Sequence, residues 1–433
     1  MGDQNMKTFT KRLLATAVAA SFALPMAANA TNGYFAHGYG TKNKGLGGGG
    51  VALPQDAMIA ATNPAGMVWV GDRMDLGAAV FSPVREYTVT GAANDGPPAF
   101  ELQPGTVESD SNYFLIPHFA RNWMLDANSS AGITVYGNGG MNTDYPSSAN
   151  GGAGSFYAGA AGVNLEQLFV NGTYSRKIGA KSSWGASLIF AYQRFKATGL
   201  GSFALYSSDA ANLTDNGTDS STGFGVKLGW QGEVSPGLTL GASYQSKLSM
   251  SEFDKYKGLF AEQGGFDIPS TWTIGLAYDK AGPGTVTFDV QQIMYSDVAS
   301  INNPLIPNIA TSQLGNSDGA GFGWEDITIY KLGYQWSTSP DWTWRVGYNH
   351  GDQPIPNSEV LFNILAPGVM EDHLTFGFTK KTGADTEFNF AAMYAPSNSV
   401  TGSNPLQGPT APNQTIELKM TQWELEASWG WKF

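Results

Sequence analysis

The chain contains no cysteine, only 14 % charged residues and four histidines in 433 positions. The first absence excludes a disulfide framework. His37, His118, His350 and His373 are scattered without ligand spacing, so neither a metal nor another cofactor is expected. The net charge of −12 argues against nucleic acid as a partner. After residue 30 no stretch approaches the ~20 consecutive apolar residues that a membrane-crossing helix requires. If the chain enters a membrane, it does so as strands. Glycine (55 residues) and aromatic side chains (12 %) are abundant. Such a composition suits a large β-protein whose outer face is apolar.

The first thirty residues predict an export signal. Lys7, Lys11 and Arg12 form a basic segment, Leu13 to Ala27 a short apolar one, and Ala28-Asn29-Ala30 a cleavage site. A membrane anchor is disfavoured because the apolar run is short and holds Pro25. Asp3, Lys7, Lys11 and Arg12 together carry +2, so their removal takes the net charge from −12 to −14.

Period-two alternation is clearest at the end of the sequence. Trp423, Leu425, Ala427, Trp429, Trp431 and Phe433 share one face, and Glu424, Glu426, Ser428, Gly430 and Lys432 the other. The stretches around Trp272 to Tyr278, Tyr330 to Trp336 and Trp342 to Tyr348 repeat it, with aromatics at the ends and Leu, Ile or Val between, as two membrane-interface girdles require. Short polar turns fall near residues 121–130, 176–183, 231–237, 279–284, 337–341 and 381–385. Seven long Gly/Ser/Asn/Asp/Pro-rich stretches alternate with them, and this count predicts fourteen strands. The fold expected is all-β: a transmembrane antiparallel β-barrel over residues 73–433, with short periplasmic turns and long outer loops. An even strand number closes the barrel without an edge. Fourteen strands enclose more space than their own side chains fill, so something must occupy the lumen.

Residues 31–72 supply that occupant. They carry Gly33, Gly38, Gly40, Gly45 and Gly47 to Gly50, then Pro54-Gln55-Asp56 as an expected helix start and Asn63-Pro64-Ala65-Gly66 as a turn. A compact segment of this kind at the periplasmic end of a wide barrel is an N-terminal plug, or hatch.

With that plug in place, the chain resembles the FadL family of outer-membrane transporters for long-chain fatty acids and other hydrophobic compounds. The Asn63-Pro64-Ala65 triplet, "YFLIPHFARNW", "GITVYGNGGMNTDY", "IPSTWTIGLAY", "DWTWRVGYNHGDQPIPNS" and the aromatic last strand carry the resemblance in order. It implies a monomer in the outer membrane of a Gram-negative bacterium, among membrane lipid and lipopolysaccharide. The implied function is passive uptake of a hydrophobic small molecule, long-chain fatty acids first and neutral aromatic or aliphatic hydrocarbons as the alternative. It further implies lateral exit at a kink in the third strand. Gly137, Asn138, Gly139 and Gly140 are the residues for that kink, and Asn63, Pro64 and Ala65 for the hatch motif. Tyr34 and Phe35 are expected ligand contacts, and Arg194, Lys331 and Arg345 candidate partners for a carboxylate. Gly315 to Gly319 matches G-x-S-x-G but lies in a polar loop without the strand and helix a nucleophile elbow needs. No catalytic residue, and no enzyme, is therefore expected. A general porin would lack the plug, and a lipid hydrolase would need a Ser, a His and an acid converging on the rim.

Overall fold

The computed structural model describes residues 31–93, 100–408 and 413–433, so the expected export signal lies outside the described residues. Fourteen antiparallel strands form the wall: β1 Arg73–Thr90, β2 Phe114–Asp126, β3 Ser129–Asn142, β4 Gly162–Ile178, β5 Ser182–Thr198, β6 Asp219–Ser235, β7 Leu238–Gln245, β8 Thr271–Ala281, β9 Gly284–Ile293, β10 Ile327–Ser339, β11 Trp342–Gly351, β12 Asp372–Lys381, β13 Thr386–Ser403 and β14 Thr415–Lys432. Each pairs with its sequence neighbours, and β1 closes the sheet on β14 from Arg73↔Lys432 to Thr90↔Thr415. Two short strands extend the ladder at the outer end, Gly105–Glu108 on β1 and Ser249–Met250 on β6. Six short turns and seven long loops alternate, as the spacing of turn residues predicts.

Strand parity sorts the side chains. Leu188, Phe224, Leu228, Ile274, Leu332, Phe376 and Leu425 are exposed on the outer face, the apolar band that a transmembrane barrel turns outward. At the short-turn ends Trp342 stacks on Trp344 with centroids 5.3 Å apart, and Phe388 meets Trp429 at 4.5 Å, which builds the inner girdle. Tyr330 and Tyr348 stand near the opposite ends. Facing inward, each long strand changes character along its length. Glu424, Glu426 and Ser428 of β14 lie toward the periplasm and Ile416, Leu418 and Met420 toward the outside, all buried. On β5, Ser183 and Ser187 give way to Ile189, Ala191 and Phe195. The lumen is thus polar below and apolar above.

Residues 31–72 sit inside the barrel and are largely buried. They form two single helical turns, α1 Thr41–Lys44 and α2 Ile59–Thr62, and a 3₁₀ turn, Pro64–Trp69. The helix expected from Pro54 begins only at Ile59. Asp56 turns its carboxylate onto the Met58 N–H (3.0 Å), and this local bond replaces the first helical turn. The glycine run has a steric reason: Gly47, Gly48 and Gly50 have φ of +69°, +77° and +125°. A Cβ on Gly48 would also stand 1.7 Å from the His37 carbonyl oxygen.

Candidate functional site

The wall is interrupted between β2 and β3. Their ladder runs from the periplasmic turn to His118↔Tyr136 and stops there, although β3 continues to Asn142. On its other side β3 pairs Gly137 with Leu168 and Gly139 with Gln167, leaving Asn138 as an extra residue. A bulge of this kind bends a strand and ends its pairing on one side. Edge backbone at membrane depth needs another partner, and the hatch supplies it. Ala36 N–H donates to Asn138 O (3.0 Å), Gly140 N–H donates to Tyr34 O (2.9 Å), and Phe35 bridges Gly139. The approach is so close that a Cβ at Gly139 would fall 1.8 Å from the Tyr34 oxygen. A cavity of about 240 Å³ opens at the gap, between Ile116 and Pro117 on one edge, Tyr136 and Gly137 on the other, and hatch residues Gly38 to Gly40 inside.

The Asn63-Pro64-Ala65 triplet clamps the hatch to the wall. Asn63 is fully buried; its amide donates to Val51 O (2.7 Å) and Trp230 O (3.1 Å), and its Oδ1 accepts the Ala65 N–H (3.0 Å). The Ala65 carbonyl accepts from the hydroxyls of Ser175 and Ser183 at 3.0 and 2.7 Å. Wall glycines make room: a Cβ on Gly185 would lie 2.4 Å from the Pro64 carbonyl carbon, and one on Gly229 2.0 Å from Asn63 Oδ1.

Ion pairs complete the attachment. Lys44 Nζ lies 2.5 Å from Glu424 and 2.7 Å from Glu426, and Lys42 lies 2.5 Å from Glu387. Asp289 accepts the N–H groups of Gly50 (2.7 Å) and Val51 (2.9 Å). Burial opposes the Lys44 charge, yet the two carboxylates outweigh it and raise its pKa above the ordinary lysine value. For Lys42 burial and Arg73 outweigh Glu387, and its pKa is lowered.

Three further cavities lie inside. The outermost, about 530 Å³, is lined by loop and strand-top side chains including Phe195, Phe203, Leu213, Phe260, Phe322 and Phe362; among the described residues Ser300 is its one polar side chain and no charged group lines it. A second, about 230 Å³, lies between Tyr34, Met141, Trp324, Pro367, Met420 and Arg85. The walls of these two run on from one another along the same loops, Phe322 and Leu365 bordering the first, Trp324 and Ala366 the second. The third, about 450 Å³, is polar and lies between the hatch and β6 to β10, with Lys227 and Lys331 in its wall.

The sequence-predicted contacts are distributed unevenly over this arrangement. Tyr34 and Phe35 are buried in an aromatic cluster with Tyr295 and Trp324, Tyr34 bordering the second cavity and Phe35 the third. Arg194 is 3.6 Å from Glu166 across neighbouring strands and borders none of these cavities. Lys331 donates to His37 O (3.0 Å), and Arg345 donates to Gln55 Oε1 (2.8 Å) and Thr379 Oγ1 (2.7 Å). These two cations hold the hatch, and the outer apolar cavity contains neither. Sequence reading missed the phenylalanines of that cavity because all but Phe195, near the end of β5, come from loops without periodicity. It also missed Arg85, whose only signal was its inward parity with Arg73, Asp75 and Tyr87 on β1.

The outer membrane protein transport protein family (OMPP1/FadL/TodX) matches residues 17–421. Among solved structures, the toluene transporter TodX of Pseudomonas putida superposes with a TM-score of 0.65 at 18 % identity, covering 92 % of this chain and 99 % of that one. A FadL homologue of Pseudomonas aeruginosa gives 0.66 at 15 % identity, covering 93 % and 100 %. The toluene transporter TbuX of Ralstonia pickettii gives 0.62 at 16 %, covering 92 % and 99 %. No curated protein matches the sequence.

Proposed function

From the premise that the chain belongs to the FadL/TodX family of outer-membrane transporters for hydrophobic compounds, we propose that it takes up small hydrophobic molecules passively and releases them sideways through the gap between β2 and β3. The observation that carries this reading is the interrupted β2–β3 ladder, with the hatch strand Tyr34–Ala36 seated in it from inside. A molecule enters the outer cavity because each methylene it buries against that apolar wall contributes about 0.8 kcal/mol. With no charged wall group among the described residues, capture depends on the apolar body of the ligand, which admits both a hydrocarbon and the tail of a fatty acid. The inner cavity beside Tyr34 is the next station, and the Tyr34–Ala36 segment seated on β3 guides the ligand from it to the gap. No energy source is required, since the ligand leaves for the membrane down its own gradient.

The test is uptake of labelled oleate and labelled toluene by cells that lack a transporter of this type and express either this protein or a variant with Gly137, Gly139 and Gly140 changed to valine. Uptake of at least one compound by the wild type, and its loss in a variant that still folds, is the expected result. Undiminished uptake by the folded variant would overturn lateral exit.

A further inference from the structure

A bulge leaves one residue without a place in the ladder, and on β3 that residue is Asn138. Its side chain is buried and bonded on both sides. From the hatch, the Tyr39 hydroxyl donates to Asn138 Oδ1 (2.7 Å). Into the wall, Asn138 Nδ2 donates to Gln167 Oε1 on β4 (3.0 Å), Gln167 Nε2 to Gln193 Oε1 on β5 (3.2 Å), and Gln193 Nε2 to the Phe266 carbonyl in the loop between β7 and β8 (2.8 Å). Every donor in this row points away from the hatch, and every polar atom of the three amides has a partner. Gln231, Gln245 and Gln422, also buried in the wall, each leave one side-chain atom without one. The row crosses the apolar part of the lumen. Gln167 lies between Leu165 and Phe169 on the inner face of β4, and Gln193 between Ala191 and Phe195 on that of β5, all of them buried. A fully bonded polar row in apolar surroundings fixes one arrangement of the segments it joins, because any other leaves a buried amide unpaired.

We infer that Gln167 and Gln193 are positioning residues for the exit: they hold the β3 bulge from the wall, independently of the hatch, and so keep the gap between β2 and β3 open. Without the row, β3 is free to straighten and resume pairing with β2, which closes the exit. This rests on the transport reading above and adds to it the wall residues that set the release step. The row also reaches the capture site. Phe266 packs on Phe260 with centroids 4.8 Å apart, Phe260 on Phe195 at 4.6 Å, and the last two line the outer cavity. The loop that receives the ligand and the strand that releases it are thereby joined through the wall.

The experiment measures amide hydrogen exchange of the full chain in lipid nanodiscs, and uptake of labelled toluene and labelled oleate by cells, for wild type, Gln167→Met, Gln193→Met, Gln167→His and Tyr39→Phe. Methionine keeps the length of the side chain and removes the amide. Expected in both methionine variants is exchange of residues 138–142 faster by roughly fivefold or more, with exchange in β13 and β14 unchanged. Gln167→His, which keeps one acceptor and one donor, should retain part of the protection, and Tyr39→Phe, which cuts only the hatch end, nearly all of it. Gln167→Met should lower the maximal uptake rate at an unchanged half-saturating concentration, since the outer cavity keeps its wall. Wild-type protection of residues 138–142 in both methionine variants, a loss in Tyr39→Phe as large as in Gln167→Met, or full uptake by Gln167→Met would overturn the inference and leave the transport reading standing. If wild type takes up neither compound, the transport reading falls and the exchange measurement alone decides whether the row holds the bulge. If Gln167→Met fails to fold, Gln193→Met, which cuts the same row one strand farther from the gap, takes its place.

Discussion

At the scale of single residues, two positions tie the hatch to the wall by contacts that no other side chain reproduces. Asn63 uses both amide protons and its oxygen in a fully buried place. Asn63→Ala would leave the carbonyls of Val51 and Trp230 and the Ala65 N–H without this partner, and should weaken hatch docking by roughly 2–4 kcal/mol. Faster amide hydrogen exchange in residues 45–70 with unchanged exchange in the β-strands would show it; protection equal to wild type would refute it. Gly139 matters for what it lacks. A valine there would drive its Cβ into the Tyr34 carbonyl, so Gly139→Val should expel the Tyr34–Ala36 strand. Uptake should fall while the barrel still migrates as a heat-modifiable band, and full uptake by that variant would show that the strand has no part in transport.

The hatch as an element owes its place to charge more than to apolar packing, because the lower lumen that receives it is polar. Lys44 lies between Glu424 and Glu426, and Glu426 also accepts from the Thr41 hydroxyl and stands 3.5 Å from His118. Lys44→Met leaves two buried carboxylates without a cation and should cost the docked hatch about 3–5 kcal/mol. Adding Glu424→Gln and Glu426→Gln should restore most of it. Protease sensitivity of the hatch in the three proteins measures the effect, and no recovery in the triple variant would mean that Lys44 acts through shape. His37 supplies the dependence on acid. Burial, with Lys44, His373 and Lys331 nearby, holds its pKa well below the ordinary 6.5. The undocked hatch therefore binds a proton that the docked one refuses. The His37 contribution is complete above pH 6.5 and is lost as pH falls below it, by up to about 1.4 kcal/mol per unit. Asp56, raised above its ordinary 3.8 by burial and by Asp75, works in the opposite sense. Hydrogen exchange of the hatch at pH 7.5 and 5.5 should thus show less weakening in His37→Gln than in wild type. An equal change in both would assign the acid response to other groups.

For the whole molecule the question is whether the barrel or its contents closes the route. Fourteen strands enclose a lumen wider than their own side chains fill, and the described hatch residues are largely buried within it. Deletion of residues 31–70 should therefore turn a silent protein into an ohmic pore in planar bilayers, with β1 and its ladder to β14 unchanged. A truncated barrel that remained silent would show that the outer loops suffice to seal it. The outer apolar cavity argues for this division of labour: the loops collect ligand and the hatch excludes water and ions.

Strand number, closure and the inward orientation of Lys331 and Arg345 were legible in the sequence. A strand exposes its two faces to different solvents, and each choice is written locally with a period of two. The hatch was legible by elimination, as a glycine-rich segment before a wide barrel. Which cation meets which acid was not, because Lys44 and Glu424 are 380 positions apart and parity gives only the face. For the same reason the contacts of Lys331 with His37 and of Arg345 with Gln55 could not be read from the sequence. The apolar cavity draws on loops between Leu200 and Leu365, where no periodicity announces a shared surface. The sequence by itself determined an outer-membrane barrel with a plug, since local alternation and turn spacing suffice for that. Only the tertiary structure decided that β2 and β3 part above His118 and that Tyr34–Ala36 fills the breach. Those facts depend on contacts between segments far apart in the chain, and a local pattern carries no record of them.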